Sequence, residues 1–118
     1  MDKIEQLAQA ALARDHIKLR SLVQDLMRAN IDFSRVPRPS TQETRLLAIT
    51  ASLVELLALR QKQTPPAWTQ EVGPLKEPFF MLESAASMKR LRTLCETQSP
   101  EPIRKRLLYA PPHFLEFA

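Results

Sequence analysis

Apolar residues recur at helical intervals through the first sixty positions of the chain. Ile4, Leu7, Ala8, Ala11 and Leu12 fall at i, i+3, i+4, i+7 and i+8, one face of an amphipathic helix over 2–13. Asp2 and Glu5 sit at its positive N-terminal end. Leu19, Leu22, Val23 and Leu26 repeat the pattern, and Asp15 has the side chain of an N-cap for a second helix over 15–29. The same residues also fit one continuous helix, because 14–16 contain no strong breaker. Asn30 reads as a C-terminal stop. Ile31, Phe33 and Val36, leading into Pro37 and Pro39, predict a packed loop.

The next helix has the clearest start. Ser40 and Glu43 are spaced as a capping box, each side chain bonding the other's free backbone N–H, and the helix is expected to run to about Gln63. Leu46, Leu47, Ile49, Leu53, Val54, Leu56, Leu57 and Leu59 cover most of its circumference. A helix apolar all round is central in a bundle or half buried in a partner. Leu53 and Leu57 are therefore expected to be buried, within the chain or in a self-association interface.

Ten prolines and one glycine divide the rest. No proline falls in 1–36 or 41–64, and eight lie in 65–112. Thr64-Pro65-Pro66 ends the apolar helix, and Trp68 follows in a turn. Phe79, Phe80, Met81 and Leu82 form an apolar cluster behind Glu77-Pro78. A helix over 84–97 is predicted, with Met88, Leu91, Leu94 and Cys95 on one side and Lys89, Arg90 and Arg92 on another. Ser99-Pro100 marks a short helix over 100–108. No run alternates cleanly, so strands are not expected. The predicted fold is all-α: a bundle of four or five helices, with 1–64 as helical core and a proline-rich C-terminal half, 65–118, wrapped on it as part of one domain.

Charge and composition narrow the function. The chain has 17 Lys and Arg against 13 Asp and Glu, a net charge of +4. Two basic clusters, Lys89-Arg90-Leu91-Arg92 and Arg104-Lys105-Arg106, are candidates for phosphate contact; a solvated helix face is the plainer reading. A single cysteine excludes an intramolecular disulfide and a thiolate zinc cluster. No apolar run reaches the length of a membrane span or a secretory leader, so a cytoplasmic protein is expected. One glycine leaves no phosphate loop or dinucleotide fingerprint. His16 and His113 stand far apart without carboxylates at metal-ligand spacing, so neither metal nor cofactor is expected. Cys95 on an apolar face reads as packing before nucleophile. An enzyme is not expected.

The tail from Leu107 to Ala118 is unusual for a chain end, because it carries Leu107, Leu108, Tyr109, Phe114, Leu115 and Phe117 around Pro111-Pro112. It docks on its own bundle or, as a stiffened peptide, in a partner's groove. In that second reading Arg104, Arg106, Tyr109, Pro111, Pro112, Phe114 and Leu115 are the partner-binding residues.

From Pro65 onward the chain resembles a group of short bacterial helical proteins. The resemblance rests on Pro65-Pro66-Ala67-Trp68, Glu77-Pro78-Phe79-Phe80, Ser99-Pro100, Arg104-Lys105-Arg106 and Pro111-Pro112-His113-Phe114-Leu115. His113 stands where that group carries Asn. Members often occur beside genes for nucleotidyltransferase-like proteins of the toxin–antitoxin type. The resemblance implies a small non-enzymatic protein-binding partner, antitoxin-like or an accessory subunit. Two other classes compete. One is a nucleic-acid-binding protein using Lys89, Arg90 and Arg92, and the other is a homo-oligomer held through the helix around Leu46–Leu59.

Overall fold

The protein is described from a computed structural model covering residues 3–116. Five α-helices and one short strand pair form the described fold: α1 (Lys3–Leu12), α2 (His16–Arg28), α3 (Thr44–Arg60), β1 (Phe79–Phe80), α4 (Lys89–Gln98), α5 (Glu101–Arg104) and β2 (Leu108–Tyr109). Single 3₁₀ turns at Phe33–Arg35, Ala67–Glu71 and Glu83–Ala86 link them.

The first stretch forms two helices, α1 and α2, not one continuous helix, and backbone hydrogen bonds show why. Asp15 N–H reaches Ala10 O at 2.9 Å and Arg14 N–H reaches Ala11 O at 3.1 Å, closing α1 with the paired bonds of a Schellman motif. Arg14 takes the left-handed backbone, φ 57°, that such a stop requires. Asp15 then caps α2 by accepting from Lys18 N–H at 3.1 Å. At the end of α2, Asn30 also turns left-handed, φ 52°, as expected of an Asn stop.

The capping box at Ser40 does not form. The helix begins four residues later, with Glu43 as N-cap and no side-chain cap bond. Thr41 Oγ1 instead accepts from Glu43 N–H at 3.1 Å, a local turn that competes with the box for the same backbone. From Ala48 to Ala58 every residue of α3 is buried. Its sides are covered by α1, by α5 and by the turns at Phe33–Arg35 and Ala67–Glu71. Leu53 and Leu57 are among these buried residues, whereas Leu46 and Leu47 are partly buried and Leu59 is 50% exposed.

The all-helical expectation fails at one place. Phe79–Phe80 and Leu108–Tyr109 pair in parallel, Phe79 opposite Leu108 and Phe80 opposite Tyr109. The expected helix over 100–108 stops at Arg104 because Leu107 adopts φ 64°, turning the chain out of the helix and alongside β1. The expected helix over 84–97 starts late for a related reason. Ser84 O accepts from both Ser87 and Met88 N–H, closing a tight turn that the helix must follow. The outer edges of this ribbon are occupied by side chains. Arg14 Nε donates to Phe80 O at 3.0 Å, and Ser99 Oγ accepts from Ala110 N–H at 2.8 Å.

Candidate functional site

Three constellations gather the residues that the sequence singled out. The first is internal. Glu55, the one charged residue in the buried stretch of α3, accepts from Arg106 Nη1 at 2.8 Å, Lys105 Nζ at 2.8 Å and Gln70 Nε2 at 2.9 Å. Burial pushes the Glu55 carboxyl up, but the hydrogen bonds from Lys105, Arg106 and Gln70 outweigh it and hold the group below the usual carboxylate range. Arg106 is 1% exposed. Three further donors go to Val72 O at 3.0 Å, Pro102 O at 2.7 Å and Thr69 O at 2.6 Å. Arg106 is thus spent inside the fold, while Arg104 lies exposed with one bond to Thr97 O at 3.0 Å. Two positions apart on one turn, they point different ways.

The second constellation is the tail. Phe114 is 7% and Leu115 5% exposed, both packed in the core cluster. Pro111, Pro112 and Tyr109 are half-buried and His113 is exposed. Arg60, near the end of α3, donates to the Phe114 carbonyl, reaches Pro112 O at 3.5 Å and pairs with Glu116 at 3.9 Å. His113 Nδ1 lies 3.1 Å from Glu116. Between α2, α3 and this tail opens a groove of about 830 Å³ lined by Val23, Met27, Leu57 and Leu115 with Arg60, His113 and Glu116 among its polar groups. Phe117 and Ala118 lie outside the described residues.

The third constellation surrounds β1. The Arg14 guanidinium lies 4.6 Å and that of Arg45 5.0 Å from the centre of the same Phe79 ring. Arg92 lies 5.2 Å over Phe80, whose ring centre is 5.3 Å from that of Tyr109. Lys89 shares the Arg92 face of α4, three residues earlier, whereas Arg90 projects elsewhere. Arg14 and Arg45 were not legible as site residues. They are far apart in sequence, and neither belongs to a basic run; only the pairing of β1 with β2 gives them a common ring.

Cys95 is fully buried. Burial first, and the charge of Glu96 second, push its thiol up, which opposes a nucleophilic role. The described residues contain no group of three or more His, Cys, Asp or Glu side chains placed to hold a metal ion. No described helix is long and apolar enough to cross a membrane. Compared with known proteins, the chain matches no family model, no curated protein and no solved structure.

Proposed function

We propose that the chain is a non-enzymatic binding partner of another protein, antitoxin-like or an accessory subunit for a nucleotidyltransferase-like protein. The observation that carries this reading is the groove between α2, α3 and the tail. An apolar floor of Met27, Leu57 and Leu115 beside charged groups at Arg60, His113 and Glu116 is the anatomy of a protein interface, an apolar centre within a polar rim. The tail contributes to a surface shared with α2 and α3, with Leu115 at the floor and His113 at the rim. Phe114, buried next to Leu115 in the tail, supports that surface from the core. The resemblance of residues 65–118 to proteins encoded beside nucleotidyltransferase-like genes supplies the class of partner.

Co-expression with the nucleotidyltransferase-like protein of a neighbouring gene tests the reading. A stable co-purifying complex is expected. Met27→Lys, which places a charge on the groove floor, should weaken it at least about tenfold, or about 1.4 kcal/mol, without lowering the melting temperature of the free chain. A complex indifferent to Met27→Lys and to His113→Glu would remove the groove from the reading; no complex would remove the partner class.

A further inference from the structure

We propose that the outer edge of β1 is a binding site for single-stranded nucleic acid, held by Arg14, Arg45, Arg92 and Lys89 around Phe79 and Phe80. This stands apart from the protein-partner reading, which rests on a different groove.

The argument starts from uncompensated charge. Two guanidiniums, Arg14 and Arg45, lie at 4.6 and 5.0 Å from the centre of one phenylalanine ring, and among the described residues neither is ion-paired, nor is Lys89. Like charges drawn to one ring repel each other, and an oxyanion set between them removes that repulsion. Arg92 has a carboxylate, Glu96 at 3.0 Å, but the pair is an exposed i,i+4 contact, the kind that contributes little and yields readily to a phosphate. Two exposed carboxylates bound the patch: Glu83, in the turn before α4, lines a cavity with Arg14 and His16, and Glu77 lines one with Arg45 and Lys76.

The cations are also held in place before any ligand arrives. Arg14 is fixed through Nε on Phe80 O at 3.0 Å, which leaves its terminal nitrogens free. Arg14, Arg45 and Arg92 each rest against an aromatic ring, a contact that favours a cation and limits its reach. Guanidiniums anchored this way meet backbone phosphates and do not extend to base edges, so recognition is independent of sequence.

The aromatic component decides between classes of polyanion. Phe80 and Tyr109 are half-buried, and their rings meet at 34°. An acidic peptide would answer the arginines and leave this ring pair without a role. A single strand uses both, its phosphates on the cations and an unstacked base against the solvent-reaching part of the half-buried Phe80–Tyr109 pair. A duplex hides its bases, and Arg92, turned onto Phe80, is not aimed into a groove.

Fluorescence anisotropy with a labelled mixed-sequence strand of about 12 nucleotides tests the site on the intact chain. Micromolar binding at about 50 mM salt is expected, with affinity falling steeply as salt rises. Arg45→Gln, at an exposed position, should weaken binding severalfold and flatten the slope of log K against log salt by about 0.7, the value for one lost phosphate contact on a single strand. Lys89→Gln should do the same and serves as the second variant if Arg45→Gln alters the melt. Lys62→Gln, beyond the opposite end of α3, should change neither quantity by more than half as much. The proposal is overturned by any of three results: no anisotropy change at about 100 µM protein, equal losses from Lys62→Gln and Arg45→Gln, or a duplex of the same length binding as tightly as the strand.

Discussion

The Arg106 guanidinium meets the Glu55 carboxylate at 2.8 Å inside the protein, with both side chains almost wholly excluded from solvent. Removing one member of a buried pair leaves the other charge unpaired, at a cost of about 3–5 kcal/mol. Arg106→Met and Glu55→Leu should each reach that range in urea unfolding. Arg106→Met should be the worse of the two, because Val72, Pro102 and Thr69 carbonyls lose their donor as well. For the same reason the double substitution should recover only part of the loss. Arg104→Ala, at the exposed neighbour, should stay within about 0.5 kcal/mol.

The same network fixes a pH dependence. Hydrogen bonds hold the Glu55 carboxyl below its unfolded value despite burial, so the folded state binds the proton less readily. The stability this contributes is present above the unfolded value of about 4.3 and disappears as pH falls through the lower folded value. Asp32, an exposed carboxyl lowered first by its hydrogen bond to Ser34, acts in the same direction. Urea midpoints between pH 7 and 3 should therefore decline below about pH 4.3. That decline should be shallower in Glu55→Gln, whereas Asp32→Asn should remove a smaller share.

How much of this was legible in the sequence depends on the range of the interaction. Helix faces at 4–12 and 19–26 follow from local spacing, and the buried stretch of α3 follows from apolar residues on every side. The breaks were harder. Arg14, Lys62, Leu107 and Leu115 all take positive φ without being glycine, so the usual turn signal is absent where the chain turns. The β1–β2 ribbon joins segments about thirty residues apart, and each strand has only two residues, too short for alternation to register. The carboxylate partner of Arg106 lies fifty-one residues away, beyond the reach of any spacing rule. Residues that mark the family resemblance prove to be largely structural. Ser99 holds Ala110, Arg106 ties α3 to α5, and Trp68 Nε1 donates to Val36 O at 2.7 Å.

Cys95 gives a prediction in the opposite pH direction. Its thiol is raised by burial and by the charge of Glu96, so the folded state keeps the proton that the unfolded chain loses near pH 8.5. The contribution to stability is complete below about pH 8.5 and is lost as pH rises through the higher folded value. Ellman's reagent at pH 8 should label the native thiol orders of magnitude more slowly than the urea-unfolded thiol. Rapid native labelling would place Cys95 at an accessible surface.

The tail supplies the last prediction, which separates side-chain burial from the clamp that holds its backbone. Phe114 and Leu115 fill the core, and Leu115 reaches its position through a left-handed backbone, φ 65°. A non-glycine residue in that region costs about 1–3 kcal/mol and persists only where its surroundings over-determine it. Two things over-determine it here: the Phe114 ring and the Arg60 guanidinium on the Phe114 and Pro112 carbonyls. Truncating the ring in Phe114→Ala should lower global stability by about 3–5 kcal/mol, the range for a buried aromatic. Arg60→Met keeps the apolar stem and removes the donors, so it should cost only about 1–3 kcal/mol globally. Its larger effect should be local: Phe114 N–H and Glu116 N–H, bonded at 3.0 and 2.9 Å to Pro111 O and His113 O, should exchange with solvent much faster. The amides of α3 should change little, because its backbone bonds do not depend on the clamp. If both variants instead lowered protection across α3 equally, the tail would belong to the same cooperative unit as the core helix, and Arg60 would be a core residue with no separate hold on the tail.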